Sequence, residues 1–97
     1  MTNAPNVRLT GHIDVPADRM AAVSAALPLH IALTHEEPGC LSFEVTKDPM
    51  TAGRFLVAEL FVDRAAFDAH QTRTKASEWA TITAGIPRAY NIEEIPT

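Results

Sequence analysis

Two side chains, His70 and Glu59, combine a residue type with a placement that suits proton-transfer chemistry. His70 follows Phe67 in a segment with helical spacing, and its imidazole could take or give a proton near neutral pH. Glu59 lies within an apolar run, on the face shared by Val57 and Phe61. Burial of a carboxylate is costly unless it is paired, and it tends to raise the pKa. We therefore predict His70 and Glu59 as the catalytic residues.

A structural role is the alternative interpretation for each of these residues. His70 could be a packed or capping residue near a helix end. Glu59 could belong to an ion pair, for which the candidate partners are Arg54, Arg73 and Arg88. A contact between Glu59 and His70 would make a hydrogen-bonded pair suited to proton abstraction. Whether the two side chains touch is left open by the sequence.

Four further residues are predicted to bind a substrate. Trp79 is the only tryptophan, and its flat ring could form a pocket wall for an aromatic ligand or belong to the core. His30 lies near the inner stripe of the first predicted helix and could line the same pocket. Phe67 and Phe43 complete this set, with ordinary core packing as the alternative for both.

Motifs for metals and for common cofactors are missing from the sequence. The four histidines and the acidic residues show no H-x-x-x-H, H-E-x-x-H or C-x-x-C spacing, so no metal site is predicted. No glycine-rich loop of the G-x-G-x-x-G or P-loop kind occurs, which argues against a tightly bound nucleotide or flavin. We therefore expect a protein without a cofactor.

The composition argues against several classes of function. The chain has 97 residues and a formal net charge of -4, with no basic run, so nucleic acid is not an expected partner. No stretch of about 18 apolar residues occurs that could span a membrane. There is no secretory signal, and Cys40 is the single cysteine, so a reducing cytoplasm is the expected location.

Period-two alternation and helical spacing together predict the fold. The predicted strands are VRLTGHIDV, CLSFEVTK, RFLVAELFV and, as the most exposed, RAYNIEEI. Helical spacing lies between the first and second strands and between the third and fourth. The order β-α-β-β-α-β predicts a ferredoxin-like α+β fold, with an antiparallel four-stranded sheet and helices on one face. Residues 1–6 are predicted to be a flexible tail and residues 7–97 a single domain.

Local signals refine these elements. The first helix should begin near Asp18 and end at EEPG, and Pro28 is expected to kink it near Ser24 or Ala25. Asp63 is the predicted N-cap of the second helix, which has a weak point at its two neighbouring threonines and ends at GIP. The apolar residues expected on one face of the second strand are Leu41, Phe43 and Val45.

The third strand is apolar on both faces, which is typical of a strand covered on both sides. Its two sets are Phe55, Val57 and Phe61 on one side and Leu56, Ala58, Leu60 and Val62 on the other. Two helices of a chain this short can cover one face of a four-stranded sheet. A second copy of the chain is the expected cover for the other face, so we predict a homodimer.

Three segments, EEPGCLSFEV, FLVAELFVD and RAAFDAH, resemble the antibiotic biosynthesis monooxygenase (ABM) domain family. That family shows an E-P-G-C-x-x-[FY]-E-V segment, a strand with a Glu near its end, and an A-x-x-x-H helix whose histidine position matches His70. The resemblance covers roughly residues 7–92. It implies homodimers in which two sheets pack face to face into an α+β barrel, with a pocket between the sheet and the helices of each subunit.

The resemblance also implies a set of possible activities. Family members include cofactor-independent oxygenases of polycyclic phenols, haem-degrading enzymes and isomerases. In the haem-degrading branch a histidine follows the tryptophan, whereas here His70 precedes Trp79. The leading expectation is a cofactor-independent monooxygenase that oxidises a small phenol- or quinol-type aromatic, with His70 as base helped by Glu59. The alternatives are an isomerase or lyase using the same two residues, and a non-catalytic small-molecule-binding dimer.

Overall fold

The computed structural model describes residues 4–97, and in that range four antiparallel strands form one sheet. The elements in chain order are β1 Asn6–Asp14, a 3-10 turn Ala17–Arg19, α1 Met20–His35, β2 Cys40–Lys47, β3 Arg54–Phe61, α2 Arg64–Lys75, α3 Glu78–Ile82 and β4 Arg88–Ile95. The predicted tail falls partly outside the described residues, and β1 begins at its last residue, Asn6.

The sheet has the strand order β2-β3-β1-β4, with β1 paired to both β3 and β4. Leu9 in β1 faces Glu59 in β3 and Ile92 in β4 across these pairings. The helices pack against one face of this sheet, where the alternating apolar residues of β1 and β3 are buried. The predicted ferredoxin-like α+β fold is therefore confirmed.

Two apolar clusters lie between the sheet and the helices. One holds together the end of β1, helix α1 and the segment before β4; its buried members are Ile13, Val15, Val23, Leu27, Phe55 and Ile86. The other joins β1, β3 and α2; its buried members are Val7, Leu9, Val57, Phe61 and Phe67. The site described below lies beside these clusters, on the same face of the sheet.

The predicted inner face of β2 is wrong at Leu41, which is 53% exposed. The register shifts between Cys40 and Ser42, because a β-bulge places one extra residue in β2. Cys40 therefore packs against the inner core in place of Leu41, while Phe43 stays buried as predicted.

The helical predictions differ from the structure at one point, the second helical region, and the kink expected at Pro28 stays a prediction. Helix α1 runs without interruption through Pro28. The predicted N-cap is confirmed, since the backbone N–H of Ala66 donates to Asp63 Oδ1 at 2.8 Å. The second helical region, however, breaks after Lys75, beyond its threonines, and Trp79 belongs to the separate helix α3.

In the described part of the chain, no helix covers the opposite face of the sheet. Leu56 within β3 and Val62 directly after it are 41% and 42% exposed. A homodimer that covers them stays a prediction. No helix within residues 4–97 has the length and apolar character needed to cross a membrane.

Candidate functional site

A cavity of about 370 Å³ lies between the inner face of the sheet and helices α2 and α3. Its buried end is formed by Glu59 and His70, and its more exposed end by side chains from the end of α2 and the start of β4. The lining residues used below are Leu9, Glu59, His70, Thr74, Lys75, Trp79, Thr83, Arg88 and Tyr90.

His70 projects from α2 toward the sheet and is 2% exposed. Its Nδ1 lies 3.0 Å from Glu37 Oε1 and 3.1 Å from Glu37 Oε2. An ionised carboxylate only accepts hydrogen bonds, so Nδ1–H is the donor and Nε2 keeps its lone pair. That Nε2 lies 3.7 Å from Glu59 Oε1 and 3.4 Å from the Thr74 hydroxyl oxygen. Burial lowers the pKa of His70, and the hydrogen bond that His70 donates to Glu37 opposes this shift.

Glu37 is itself held by a cation at the junction of α1 and α2. Arg73 Nε donates to Glu37 Oε2, and Arg73 Nη2 donates to Thr34 Oγ1 at 2.9 Å. The Thr34 hydroxyl donates in turn to the His30 carbonyl at 2.8 Å. The carboxylate that orients His70 is therefore fixed on both sides and balanced by the Arg73 charge.

Glu59 contrasts with Glu37, because within residues 4–97 it lacks the hydrogen-bonded cation that Glu37 has, and the nearby His70 Nε2, at 3.7 Å, lies beyond hydrogen-bond distance. Glu59 is 8% exposed, and its Oε1 has no hydrogen-bond partner among residues 4–97. Burial raises the pKa of Glu59 from 4.5 to about 7, and the negative charge of Glu37 adds to this rise. The carboxyl group is thus poised to hold or release a proton near neutral pH.

The ion pair suggested as a structural role for Glu59 is not formed within the described residues. Arg54 Nε lies 2.7 Å from Asp14 Oδ1. Arg73 binds Glu37, and Arg88 donates to backbone carbonyls. All three candidate partners are therefore engaged elsewhere.

His30 and Trp79 form a stacked pair at the edge of the cavity. Their ring centroids are 4.7 Å apart, with an interplanar angle of 4°. Burial lowers the pKa of His30 to about 4, with the Arg73 charge acting in the same direction, so the imidazole is neutral. Both rings also line a second cavity of about 370 Å³ between α1 and α3, so the pair separates the two spaces.

Phe43 and Phe67 take up different positions around His70. The Phe43 ring centroid is 5.6 Å from that of His70 and 5.4 Å from that of His30. Phe67 meets the edge of Phe61 at 5.9 Å, and Phe61 in turn lies 4.9 Å from the His70 ring. Both phenylalanines thus pack behind the imidazoles rather than along the cavity wall, and their part in substrate binding stays a prediction.

A close approach of β1 and β4 places Tyr90 in the cavity wall. Gly11 faces Tyr90 across this strand pair. A Cβ atom at Gly11 would lie 2.0 Å from the Ala89 carbonyl oxygen and 2.9 Å from Tyr90 Cδ1. Any larger residue at this position would push β4 away, so glycine here maintains the shape of the cavity.

Sequence reasoning missed Glu37 and its partner Arg73. In the sequence, Glu37 belongs to the helix-ending EEPG segment and to the EEPGCLSFEV segment of the family resemblance, and neither assigns it a role beside His70. The spacing of Arg73, three positions after His70 on the same helix, could have suggested that the two share a face. The structure brings together four of the six predicted site residues along the cavity: His70, Glu59, Trp79 and His30.

The arrangement supports proton movement at two adjacent points. His70 Nε2 can accept a proton from a ligand, while Glu37 stabilises the imidazolium that results. Glu59 can hold a second proton in an apolar setting. Within residues 4–97, no group of three or more His, Cys, Asp or Glu side chains is placed to hold a metal ion.

A known protein family and solved structures match most of the chain. A family model described as antibiotic biosynthesis monooxygenase matches residues 6–81. Among solved structures, a proposed antibiotic biosynthesis monooxygenase from Deinococcus radiodurans superimposes with a TM-score of 0.82 at 20% identity, covering 94% of this chain and 93% of that one. SnoaB, a cofactor-independent oxygenase from Streptomyces nogalater, gives a TM-score of 0.76 at 14% identity, covering 93% and 92%. No curated protein sequence matches the chain.

Proposed function

Because the chain belongs to the antibiotic biosynthesis monooxygenase family, we propose that it is a cofactor-independent monooxygenase of a small phenol- or quinol-type aromatic. The observation that carries this proposal is the orientation of His70. Its Nδ1 is bound to Glu37 at 3.0 Å, and its Nε2 is directed at the cavity. The likeness of the fold to SnoaB, an oxygenase described as cofactor-independent, supports the same function.

The first step is removal of the phenolic proton by His70 Nε2. Glu37 stabilises the imidazolium that forms, as a carboxylate beside a catalytic histidine does. Glu59, with its pKa raised to about 7, can hold a proton near neutral pH, and in that uncharged form it does not repel the resulting phenolate. This assignment differs from the sequence-based one, since Glu37 rather than Glu59 helps the base.

The second step needs only the substrate and dioxygen. The phenolate passes one electron to dioxygen, giving an aryloxyl radical and superoxide, which combine at a ring carbon bearing hydrogen. The new C–O bond then forms a carbonyl as the O–O bond breaks. The ring hydrogen and the phenolic proton leave with the second oxygen atom as water. A phenol plus dioxygen thus becomes a quinone plus water, and no external reductant is consumed.

The protein supplies orientation and exclusion of water. The stacked rings of His30 and Trp79 offer an aromatic wall for the substrate. A volume of about 370 Å³ lies at the lower end of the range for small-molecule sites, about 300–1,000 Å³. Such a cavity suits a ligand of one or two rings.

A second candidate function is isomerisation or elimination by proton transfer without oxygen. The observation that favours it is the distance of 3.7 Å between His70 Nε2 and Glu59 Oε1. Two groups this close can take a proton from one position of a substrate and return it at another. Oxygen uptake distinguishes the two reactions, because only the oxygenase consumes dioxygen.

We also propose that the protein works as a homodimer. The support is the exposed Leu56 on the outer face of β3, with Val62 directly after the strand, at 41% and 42% exposure. Sedimentation at micromolar concentration should show a dimer, and replacing Leu56 by Glu should shift it toward the monomer. A cytoplasmic location stays a prediction.

The deciding experiment measures dioxygen uptake with a panel of phenols, naphthols and quinols. The wild-type protein should consume one dioxygen per substrate, and His70→Ala should lower the rate by about 10²-fold or more, as expected for loss of a general base. His35→Gln is the matched control, because His35 contacts the Phe43 carbonyl rather than the cavity. Binding of the phenols without uptake of oxygen by the wild-type protein would reject the oxygenase and favour the other functions.

A further inference from the structure

We propose that the natural ligand is an aromatic acid, whose carboxylate binds an anion site formed by Arg88 and Lys75 at the open end of the cavity. Its ionisable hydroxyl group would then face His70 and Glu59 at the buried end. The placement of the hydroxyl group rests on the proposed function. The anion site depends on the residues of the rim alone.

The charges at the rim are unbalanced within the described chain. Both Arg88 and Lys75 line the cavity, and within residues 4–97 neither has a carboxylate oxygen within 4.0 Å. Of the arginines, Arg8, Arg54, Arg64 and Arg73 form ion pairs with carboxylates. In the part of the chain that the structure describes, Arg19 and Arg88 do not, and of these two only Arg88 lines the cavity. Two uncompensated cations at one cavity are notable in a chain with a net charge of -4. An anionic ligand would supply the missing charge.

Arg88 is fixed in place by neutral groups, which leaves its charge available. Its Nη2 donates to the Thr83 carbonyl at 2.6 Å, and its Nε donates to the Ile86 carbonyl at 3.2 Å. A guanidinium group has five N–H donors, and these two bonds leave three for the neighbouring Tyr90 hydroxyl and for a ligand. Its planar fork matches the two oxygens of a carboxylate, and an orientation already set by the backbone reduces the entropy lost on binding.

The two ends of the cavity differ in a way that orients a ligand. Lys75 and Arg88 are exposed, whereas Glu59 and His70 are buried. A ligand with one charged end and one neutral, ionisable end would place the charged end where water still reaches it. The apolar walls between the ends, which include Leu9 and Trp79, fit the aromatic ring.

The test compares 4-hydroxycinnamate with its uncharged amide, 4-hydroxycinnamamide, which has nearly the same shape. Trp79 is the only tryptophan and lines the cavity, so its indole N–H signal in NMR reports binding of either probe. The acid should bind about tenfold more tightly than the amide, the factor expected for a charge-assisted contact. Increasing salt should reduce this ratio, because the rim is exposed to solvent.

Variants at the rim show which side chain causes the tighter binding of the acid relative to the amide. Arg88→Gln should bring the ratio close to one, Arg88→Lys should keep part of it, and Lys75→Gln should lower it less. The matched control is Arg8→Gln, because Arg8 pairs with Glu93 at 3.8 Å, away from the cavity. Should Arg88→Gln fail to fold, Lys75→Gln and the salt dependence of the wild-type ratio decide the question.

Equal binding of the acid and the amide would overturn the anion site, as would an acid preference that Arg88→Gln leaves unchanged. Lack of binding by both probes up to their solubility would also reject it. Failure of the proposed function is recognised separately. A preference for the acid without oxygen uptake by any phenol supports the anion site and rejects the oxygenase, whereas oxygen uptake with equal binding does the reverse.

Discussion

Two buried imidazoles lie side by side in this molecule, and only one of them is oriented by a partner. His70 and His30 are 2% and 6% exposed, and their ring centroids are 6.3 Å apart. Burial lowers the pKa of both. Nδ1 of His70 donates to Glu37, whereas Nδ1 of His30 has no hydrogen-bond partner among residues 4–97.

The difference shows what a carboxylate adds to a buried histidine. Burial alone favours the neutral ring, so His30 acts as a flat packing surface stacked on Trp79. Glu37 fixes the tautomer of His70, directs Nε2 to the cavity and stabilises the protonated state. The same residue type is therefore suited to chemistry at one position and to packing at the other.

Among the variants that test the difference between His70 and His30, removal of the Glu37 charge should have the largest effect. In Glu37→Gln the side chain no longer stabilises the imidazolium, and it can present its amide group to Nδ1 in either orientation. We expect turnover to fall by about 10²-fold, the lower end of the contribution of a positioned general base. The measurement is the rate of oxygen uptake, together with the ¹⁵N chemical shifts of His70, which report its tautomer.

Glu36→Gln is the control for this variant, since Glu36 is the adjacent carboxylate and is exposed. It removes the same charge from the chain without touching His70. Equal loss of turnover in the two variants would mean that Glu37 acts through the overall charge of the protein and not through the imidazole.

Ionisation of Glu59 should make stability depend on pH. Its pKa is about 7 when folded and 4.5 ordinarily, so between these values the unfolded chain has lost the proton that the folded chain keeps. The folded state binds more protons, and the free energy of unfolding therefore falls as pH rises through this window, by about 3 kcal/mol. Urea unfolding of wild type and Glu59→Gln at about pH 5 and pH 8 measures this loss.

The difference in free energy of unfolding between wild type and Glu59→Gln isolates the contribution of Glu59. The comparison is needed because His30 titrates over part of the same pH range and changes the stability in the opposite direction. Glu59→Gln should lack the loss toward high pH, while Glu36→Gln, at an exposed position after α1, should behave as wild type does. Parallel pH profiles for wild type and Glu59→Gln would show that a partner stabilises the ionised carboxylate.

The inner position of Glu59 could be predicted from the sequence, and the partner of His70 could not. Alternation along β3 places Glu59 with Val57 and Phe61, because successive side chains of a strand point to opposite faces. Glu37 and His70 are separated by 33 positions, and their contact depends on how α1 and α2 pack. No local pattern reports such a distant pairing.

Two errors in the predicted elements have similar causes. The bulge at Leu41 leaves the alternation of residue types intact, so the apolar pattern of β2 still suggests an inner position. The break between α2 and α3 falls at Ala76 and Ser77, where the helical spacing of apolar residues continues into Trp79. In both cases the residues at the irregularity are compatible with a regular strand or helix as well as with the bulge or break that forms.

The smallest expected effect at neutral pH comes from His30, the imidazole without a partner. His30→Phe keeps a flat ring against Trp79 and removes the unsatisfied Nδ1, so the free energy of unfolding should rise by about 1 kcal/mol.

Lowering the pH should widen this gap. The folded pKa of His30 is about 4 and the ordinary value is 6.5, so in this window the unfolded wild-type chain binds a proton that the folded chain excludes. The free energy of unfolding of the wild type therefore falls toward low pH because of His30, and this fall is missing in His30→Phe. Urea unfolding followed by Trp79 fluorescence measures both effects. A variant that is less stable at pH 7, with a gap that stays constant down to pH 4, would indicate that His30 gains a stabilising contact from its ring nitrogen. The contrast with His70 would then have to be abandoned.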